Sequence, residues 1–375
     1  MSESIALVLG GGGARAAYQI GVLKALVQLY PRNHHIPFDI LSGSSAGAIN
    51  AISLATHASC FHLGVRKLDW VWRHFETHKV YSSSFWHVLK HLSKMALKGL
   101  QSDKVNTEAG SLLDNQPLRK LLNQLIDFQR IERNIGSGAL KAISLDASSY
   151  NDSYSYSFYQ ASHNINDWQR ARRQGTRTTL TTDHLMATSA IPLVFPSVKL
   201  KQAYFGDGSV HQLSPLSSPI HLGARKIMVI NLDSPHKQRH SDIDAHPKTA
   251  TIAGHLLDTI FSDTLNSDLE RLERINSTLD LIPPADAKLV NLRKIDTLVI
   301  KPSEDLSVIA ARYFQDLPLA IRILLKFIGI NRQSDSSIAS YLLFEKSYTS
   351  ALIDLGYKDA MNQMDTIKTF FELET

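Results

Sequence analysis

Gly43-Ser44-Ser45-Ala46-Gly47 sets a serine at the centre of a G-x-S-x-G pattern. A serine acts as a nucleophile when it sits on a sharp strand-to-helix turn. Its oxygen then projects from the sheet edge and the next backbone N–H faces the reacting carbonyl. Small residues at 43, 46 and 47 let such a turn close. The same pattern also occurs in ordinary Ser/Gly-rich loops, so the flanks decide its meaning. Here an extended stretch, Pro37–Ser42, precedes it and an Ala-rich helical stretch, Ala46–Ala55, follows. A second glycine cluster, Gly10–Gly13, lies between the apolar run Ile5–Leu9 and the stretch Ala14–Leu29, where Tyr18, Val22, Ala25, Leu26 and Leu29 recur at helical spacing. It has two readings. Gly11, Gly13 and Ala16 satisfy G-x-G-x-x-A, a dinucleotide-binding turn, but the nearest acid, Asp39, stands at the start of the second strand instead of its end. Alternatively, the backbone N–H groups at a helix start form an oxyanion hole. The oxyanion reading explains both glycine loops together; the nucleotide reading explains one.

A serine nucleophile needs a base. Asp207 follows the strand-like Lys199–Phe205 within Phe205-Gly206-Asp207-Gly208-Ser209-Val210. Asp-Gly is equally a favoured hairpin turn, and Asp146 and Asp183 are rivals. Histidines for a three-residue relay follow the elbow (His211, His221, His236, His255), but none has a context that marks it. The α/β-hydrolase topology also wants several strands before the elbow, and only 42 residues precede Gly43. His236, His240, Asp242, Asp244 and His246 are metal-ligand types, but Lys237 and Arg239 interleave them without a rigid spacing, so they read as a solvated loop. Arg170, Arg172, Arg173 and Arg177 beside Trp168 read as solvated basic surface.

These residues must be held by a fold. The chain has 375 residues, 43% of them apolar and 20% charged, which supports a sizeable core and excludes wholesale disorder. The lone Cys60 excludes a disulfide scaffold. The first apolar run lacks a basic lead, and the longest apolar candidate for a span, Leu317–Ile330, is interrupted by Arg322 and Lys326. Strand–loop–helix occurs twice within the first 55 residues, which predicts a mainly parallel sheet flanked by helices. Helical patterns fill much of 61–134. Strands are expected at 139–146, 153–159, 199–205 and 225–232, and 233–248 is a polar loop. The rest reads as helical apart from Thr297–Ile300. The expected layout is an α/β domain over 1–235, a polar linker over 236–248 and a mostly helical region over 249–375 packed on the first.

Four blocks together resemble the patatin-like phospholipases. ALVLGGGGARAAYQIGVLKAL is similar to the family's glycine-rich loop and first helix, and ILSGSSAGAINA to its nucleophile elbow. ATSAIPLVFPSV resembles the segment before its catalytic acid, and FGDGSVHQLSPLSSPIHLGARKIMVI its Asp-Gly motif and the helix–strand pair after it. The blocks keep the family's order from residue 6 to about 232. SYLLFEKSYTSALIDLGYKDA resembles the tail of bacterial members. The resemblance implies a three-layer α/β fold and a serine acyl hydrolase of phospholipids or lysophospholipids. Ser45 is then the nucleophile and Asp207 its base, without histidine. Gly11, Gly12 and Gly13 form the oxyanion hole with Arg15 shaping the loop, Gly43 and Gly47 the elbow, and Gly208 the acid motif. No metal or organic cofactor and no nucleic-acid partner is implied. Acyl transfer from the same acyl-enzyme, or a non-catalytic lipid-binding role, are the alternatives. Ala16 replaces a usual Gly, and Ser209 a usual Gly or Ala.

A lipid substrate also bears on the charge distribution. Between Trp70 and Leu100 five cations (Arg73, Lys79, Lys90, Lys94, Lys98) face one anion, Glu76, within a chain of net charge +5. Phe85, Leu89, Leu92 and Ala96 form one helical stripe, and Lys90, Lys94 and Lys98 another about 100° away. With Trp86, this is the pattern of an interfacial helix on anionic head groups, or of a surface helix packed on the core. The expectation is a cytoplasmic or peripheral membrane protein, with export by a route lacking a cleaved signal as the alternative. Oligomeric state is left open.

Overall fold

The apolar run Ile5–Leu9 forms β1. Leu7 and Leu9 enter the core on one side of the sheet, while Ala6 and Val8 enter a second cluster on the other. A strand buried on both faces reads as a continuous apolar run without alternation. The computed structural model describes residues 3–82, 111–162, 164–212, 214–233, 249–283, 286, 290, 292–327 and 337–373, and for most of 249–263 only the backbone. Trp86, Lys90, Lys94 and Lys98 lie outside the described residues, as does the linker at 236–248 with His236, His240, Asp242, Asp244 and His246.

A 3₁₀ turn, Gly13–Ala16, leads from the glycine loop into α1 (Ala17–Leu26). Strand β2 (Ile40–Ser44) runs directly into α2 (Ser45–Ala55). Helices α3 (Phe61–Arg73), α4 (Thr77–Val80), α5 (Gln116–Leu125) and α6 (Gln129–Gly136) follow. Next come β3 (Ala142–Ser149), β4 (Ser155–Ala161), β5 (Trp168–Arg170), β6 (Arg173–Arg177) and α7 (Thr182–Thr188). The acid motif lies at the end of a hairpin, β7 (Val198–Leu200) and β8 (Ala203–Asp207). Helix α8 (Ser217–His221) and β9 (Lys226–Ile230) follow it. The C-terminal region supplies α9 (Thr249–Asp280), β10 (Asp296–Ile300), α10 (Leu306–Arg312), α11 (Leu319–Phe327), α12 (Ile338–Leu342), α13 (Lys346–Met361) and α14 (Met364–Phe370).

The strands form one ten-stranded sheet in the order β10-β9-β1-β2-β3-β4-β6-β5, with β8 paired to β3 and β7. From β10 to β3 all neighbours are parallel. Beyond β3 the sheet turns mixed, with β4 antiparallel on β3 and β8 antiparallel on its far end. Helices therefore cover the parallel half, as crossover connections demand.

Three expectations change. The single strand at 199–205 is a hairpin, because Lys201 adopts a left-handed backbone (φ 55) between β7 and β8. The arginine run is a second hairpin, β5–β6, turning at Arg172 (φ 55). Arg177 there donates to the carbonyls of Ala161 and Ser162 and lies over the Tyr159 ring, so it is partly structural. The boundary placed at residue 235 falls inside one sheet, since β10 from the C-terminal region pairs with β9. That region is also locked to α1, where α13 crosses it glycine to glycine. A Cβ on Gly21 would stand 2.6 Å from the Tyr357 nitrogen, and the Tyr18 hydroxyl donates to Asp359 at 3.0 Å.

Candidate active site

Ser45 is the first residue of α2, with a left-handed backbone (φ 51) that a non-glycine residue adopts only under constraint. That strain costs roughly 1–3 kcal/mol and is held by the packing around it. A Cβ on Gly43 would stand 2.7 Å from the Ala48 Cα, and one on Gly47 2.7 Å from the Leu9 carbonyl carbon. Both glycines are thus required by close backbone approach, and Gly47 presses the elbow against the end of β1. The Ser45 N–H donates to the Thr188 hydroxyl at 2.9 Å, and Thr188 in turn donates to the Asp146 carbonyl.

Sheet register brings the acid to the serine. Ser44 pairs with Asp146, the next residue of β3 is Ala147, and Ala147 pairs with Asp207. The end of β2 and the end of β8 thus meet along one edge of β3, which brings Asp207 next to the elbow. Asp207 is fully buried, its N–H donates to the Ala190 carbonyl at 2.9 Å, and its Oδ1 accepts from the Ser209 N–H at 3.0 Å. Oδ2 is buried with no hydrogen bond of full geometry. Burial raises the carboxyl pKa to about 6, while hydrogen bonding from Ser45 and Ser209 pulls it down. Ser45 therefore stands near enough to act on the carboxyl, in the loose contact common before substrate tightens a site. Gly208 is held by space alone: a Cβ there would stand 2.7 Å from the Asp146 carbonyl carbon.

The glycine loop is set by a buried polar chain that sequence reading missed. The Trp72 indole N–H donates to Asn50, Asn50 donates to Gln19, and Gln19 donates to the Gly10 carbonyl, each at 2.8 Å. Gln19 and Asn50 have no solvent exposure. This chain fixes the Gly10 carbonyl at the start of the glycine loop. Gly13 takes a left-handed backbone (φ 55), and a Cβ there would stand 3.1 Å from the Tyr341 carbonyl carbon. The only signal in sequence was two amides on otherwise apolar helix faces.

Arg15 points elsewhere. Its buried guanidinium donates to Ser340 at 2.7 Å, to the Tyr341 hydroxyl at 3.0 Å and to Ser307 at 2.9 Å, and it stacks on the Tyr341 ring. It shapes the loop by clamping it to α10 and α12, three hundred residues away in sequence. Ala16, where a glycine is usual in the resembling family, has ordinary helical dihedrals (φ −63), so a side chain is accommodated. Ser209 adds a hydroxyl beside Asp207, which helps to hold its pKa down.

The rival acids separate clearly. Asp183 is exposed and pairs with Arg119. Asp146 is buried, accepts from Ser157 and Gln212, and has a pKa raised to about 7 by its burial. It lines a polar cavity of about 30 Å³ under Gly10 and Gly11 with Ser42, Ser44 and Asn231, room for one water. Among the described residues no histidine hydrogen-bonds to Ser45 or Asp207. His221 stacks on Trp168 and His211 meets Ser148 through its backbone N–H. His236 and the His255 side chain lie outside the described residues.

A family model for "Patatin-like phospholipase" matches residues 7–220, more than half of the chain. The chain belongs to the patatin-like phospholipase family. Curated relatives are longer proteins. Over 68 residues it is 42% identical to "Patatin-like phospholipase domain-containing protein 7" of Rattus norvegicus, covering 18% of this chain and 5% of that one. Over 56 residues it is 49% identical to "Lysophospholipase nte1" of Aspergillus terreus, covering 15% and 3%. Among solved structures, the human GIVD cytosolic phospholipase A2 in complex with a fluorophosphonate inhibitor aligns over 99% of this chain and 59% of that one. Its identity is 10% and its TM-score 0.42. The matched stretches are a small fraction of these curated relatives, 5% and 3% of their length.

Proposed function

We propose that this patatin-like protein is a serine acyl hydrolase that cleaves carboxylic esters of phospholipids or lysophospholipids through Ser45 and Asp207. The observation that carries the reading is the strained Ser45 at the head of α2, set beside the fully buried Asp207. An exposed aspartate, with a pKa near 3.9, is a poor base for a hydroxyl at neutral pH. Burial lifts Asp207 to about 6, close to the histidine range, without a histidine.

In this mechanism Asp207 Oδ2 takes the proton of the Ser45 hydroxyl as Oγ attacks the acyl carbonyl. The tetrahedral oxyanion faces the N–H groups of Gly11, Gly12 and Gly13. Asp207 returns the proton to the departing alcohol oxygen, leaving an acyl-enzyme. Water, deprotonated by the same carboxylate, then releases the fatty acid and restores Ser45. Positioned oxyanion donors contribute on the order of 10²–10³-fold each, comparable to general-base proton transfer at about 10²–10⁴-fold. Among the described residues no helix is long and apolar enough to cross a membrane, so substrate is to be met at a membrane surface or in dispersed form. Incubation of the Ser45→Ala protein with a lysophospholipid and with a fluorophosphonate probe tests the reading. Loss of both fatty-acid release and labelling is expected, and fatty-acid release by that variant would overturn it.

A further inference from the structure

Helix α2 carries Ser45 at one end and borders a second cavity along the rest of its length. This groove encloses about 530 Å³ between α2, α3 and α5, within the range of small-ligand sites. Ile49, Ser53 and Thr56 form its floor at helical spacing, and Leu68, Val71, Leu118 and Leu122 form its walls. From Ile49 to His57 it runs along eight residues of α2 and the turn after it, about 12 Å at helical rise.

The groove is polarised along that length. At one end Ile49, Trp72 and Phe75 present only apolar surface. At the other stand His57, Arg66 and Lys67. His57 is 6% exposed; its Nδ1 donates to the Ser53 carbonyl at 2.9 Å, which leaves the buried Nε2 of the neutral ring an acceptor. Burial first, with Lys67 and Arg130 nearby, holds the imidazole pKa below its ordinary value, so His57 adds little charge of its own at neutral pH. Arg66 and Lys67 are exposed, and among the described residues neither pairs with a carboxylate. No carboxylate stands among the described lining residues. Trp70 (61% exposed) and Leu125 (44% exposed) sit at the rim, apolar surface open to a ligand tail.

An apolar groove ending in two cations that pair with no carboxylate among the described residues matches one ligand chemistry. A neutral chain would leave Arg66 and Lys67 unused, and a compact anion would leave the apolar length empty. We propose that the groove binds a free long-chain fatty acid, its carboxylate at Arg66 and Lys67 and its chain along α2 toward Phe75. The site is distinct from Ser45, and the proposal stands whether or not Ser45 hydrolyses esters.

The test uses the full chain carrying Ser45→Ala, titrated with a dibrominated stearic acid kept below its micelle concentration. Trp70 and Trp72 line the groove, so bromine bound there quenches tryptophan fluorescence. Saturable quenching is expected, with methyl stearate binding at least about tenfold more weakly. Arg66→Glu with Lys67→Glu, both at exposed positions that leave the fold intact, should weaken the acid by at least about tenfold. Leu122→Trp should block the channel. Absence of saturable quenching, or affinity unchanged by the charge reversal, would overturn the proposal. So would quenching by vesicles of brominated phosphatidylglycerol but not by the free acid, which would make the groove a bilayer contact.

Discussion

The two ends of α2 are built on opposite principles. At its first residue, backbones touch, glycines are compulsory, and the nearby cavity holds about 30 Å³. Along its remaining turns the helix faces about 530 Å³ of space between side chains. A reacting centre must hold donors and base within fractions of an ångström, which dense backbone packing provides. A site for a flexible chain needs volume and apolar surface, and specific geometry only at the charged end. One helix can serve both because its N-terminal turn is fixed by the sheet, while a face along its later turns borders the groove lined by α3 and α5.

Substitutions at the two ends should separate in size. The largest effect is chemical: Ser45→Ala or Asp207→Asn should lower kcat for a short-chain soluble ester by more than about 10⁴-fold, while Leu122→Trp in the groove changes it less than about twofold. Equal losses in all three would erase the contrast. Gly47→Ala drives a Cβ into the backbone of β1 and should cost at least about 3 kcal/mol by denaturant unfolding. Ser53→Ala, in the groove floor, should stay within about 0.5 kcal/mol.

A third prediction concerns pH. The folded-state pKa values of Asp207 and Asp146 are raised to about 6 and about 7, so the folded protein binds these protons more tightly than the unfolded chain does. Their contribution to stability is therefore full below about pH 4 and is lost as pH rises through 6 to 7. Asp146→Asn should accordingly gain stability relative to the parent between pH 4 and 7, by up to a few kcal/mol. A difference independent of pH would show that Asp146 is not raised. The same elevation makes kcat/KM fall about tenfold per pH unit below about 6, as Asp207 protonates. The smallest expected effect is on loop geometry. Gln19→Leu frees the Gly10 carbonyl and should reduce kcat about tenfold while costing about 1–3 kcal/mol; unchanged kcat would remove the buried amide chain from loop positioning.

How much was legible beforehand differs by element. The elbow, the glycine loop and the Asp-Gly motif were readable because each is local: a few small residues between a strand and a helix. β1, β2 and α2 followed from runs of apolar or small residues. The β5–β6 hairpin was hidden because it lies at the sheet edge, where polar arginines are tolerated and no burial pattern arises. The break between β7 and β8 was hidden because Lys201 gives no glycine signal for its left-handed turn. Arg15 was expected to shape the loop from the resemblance, and its partners Ser307, Ser340 and Tyr341 could not be named from spacing. The interfacial stripe of Lys90, Lys94 and Lys98 with Trp86 lies outside the described residues, and the charge-reversal test of Arg66 and Lys67 bears on the other basic face of this region.

The order of motifs in the chain was enough to determine the family, the nucleophile candidate and the parallel half of the sheet, since those rest on local backbone demands and burial. Only the tertiary structure brings Asp207 rather than a rival acid next to Ser45, because β2 and β8 pair with successive stretches of the same edge of β3, the other edge being taken by β4. It also decided that Asp207 has a pKa suited to a base, since burial is a property of everything packed around a carboxylate and of no residue alone.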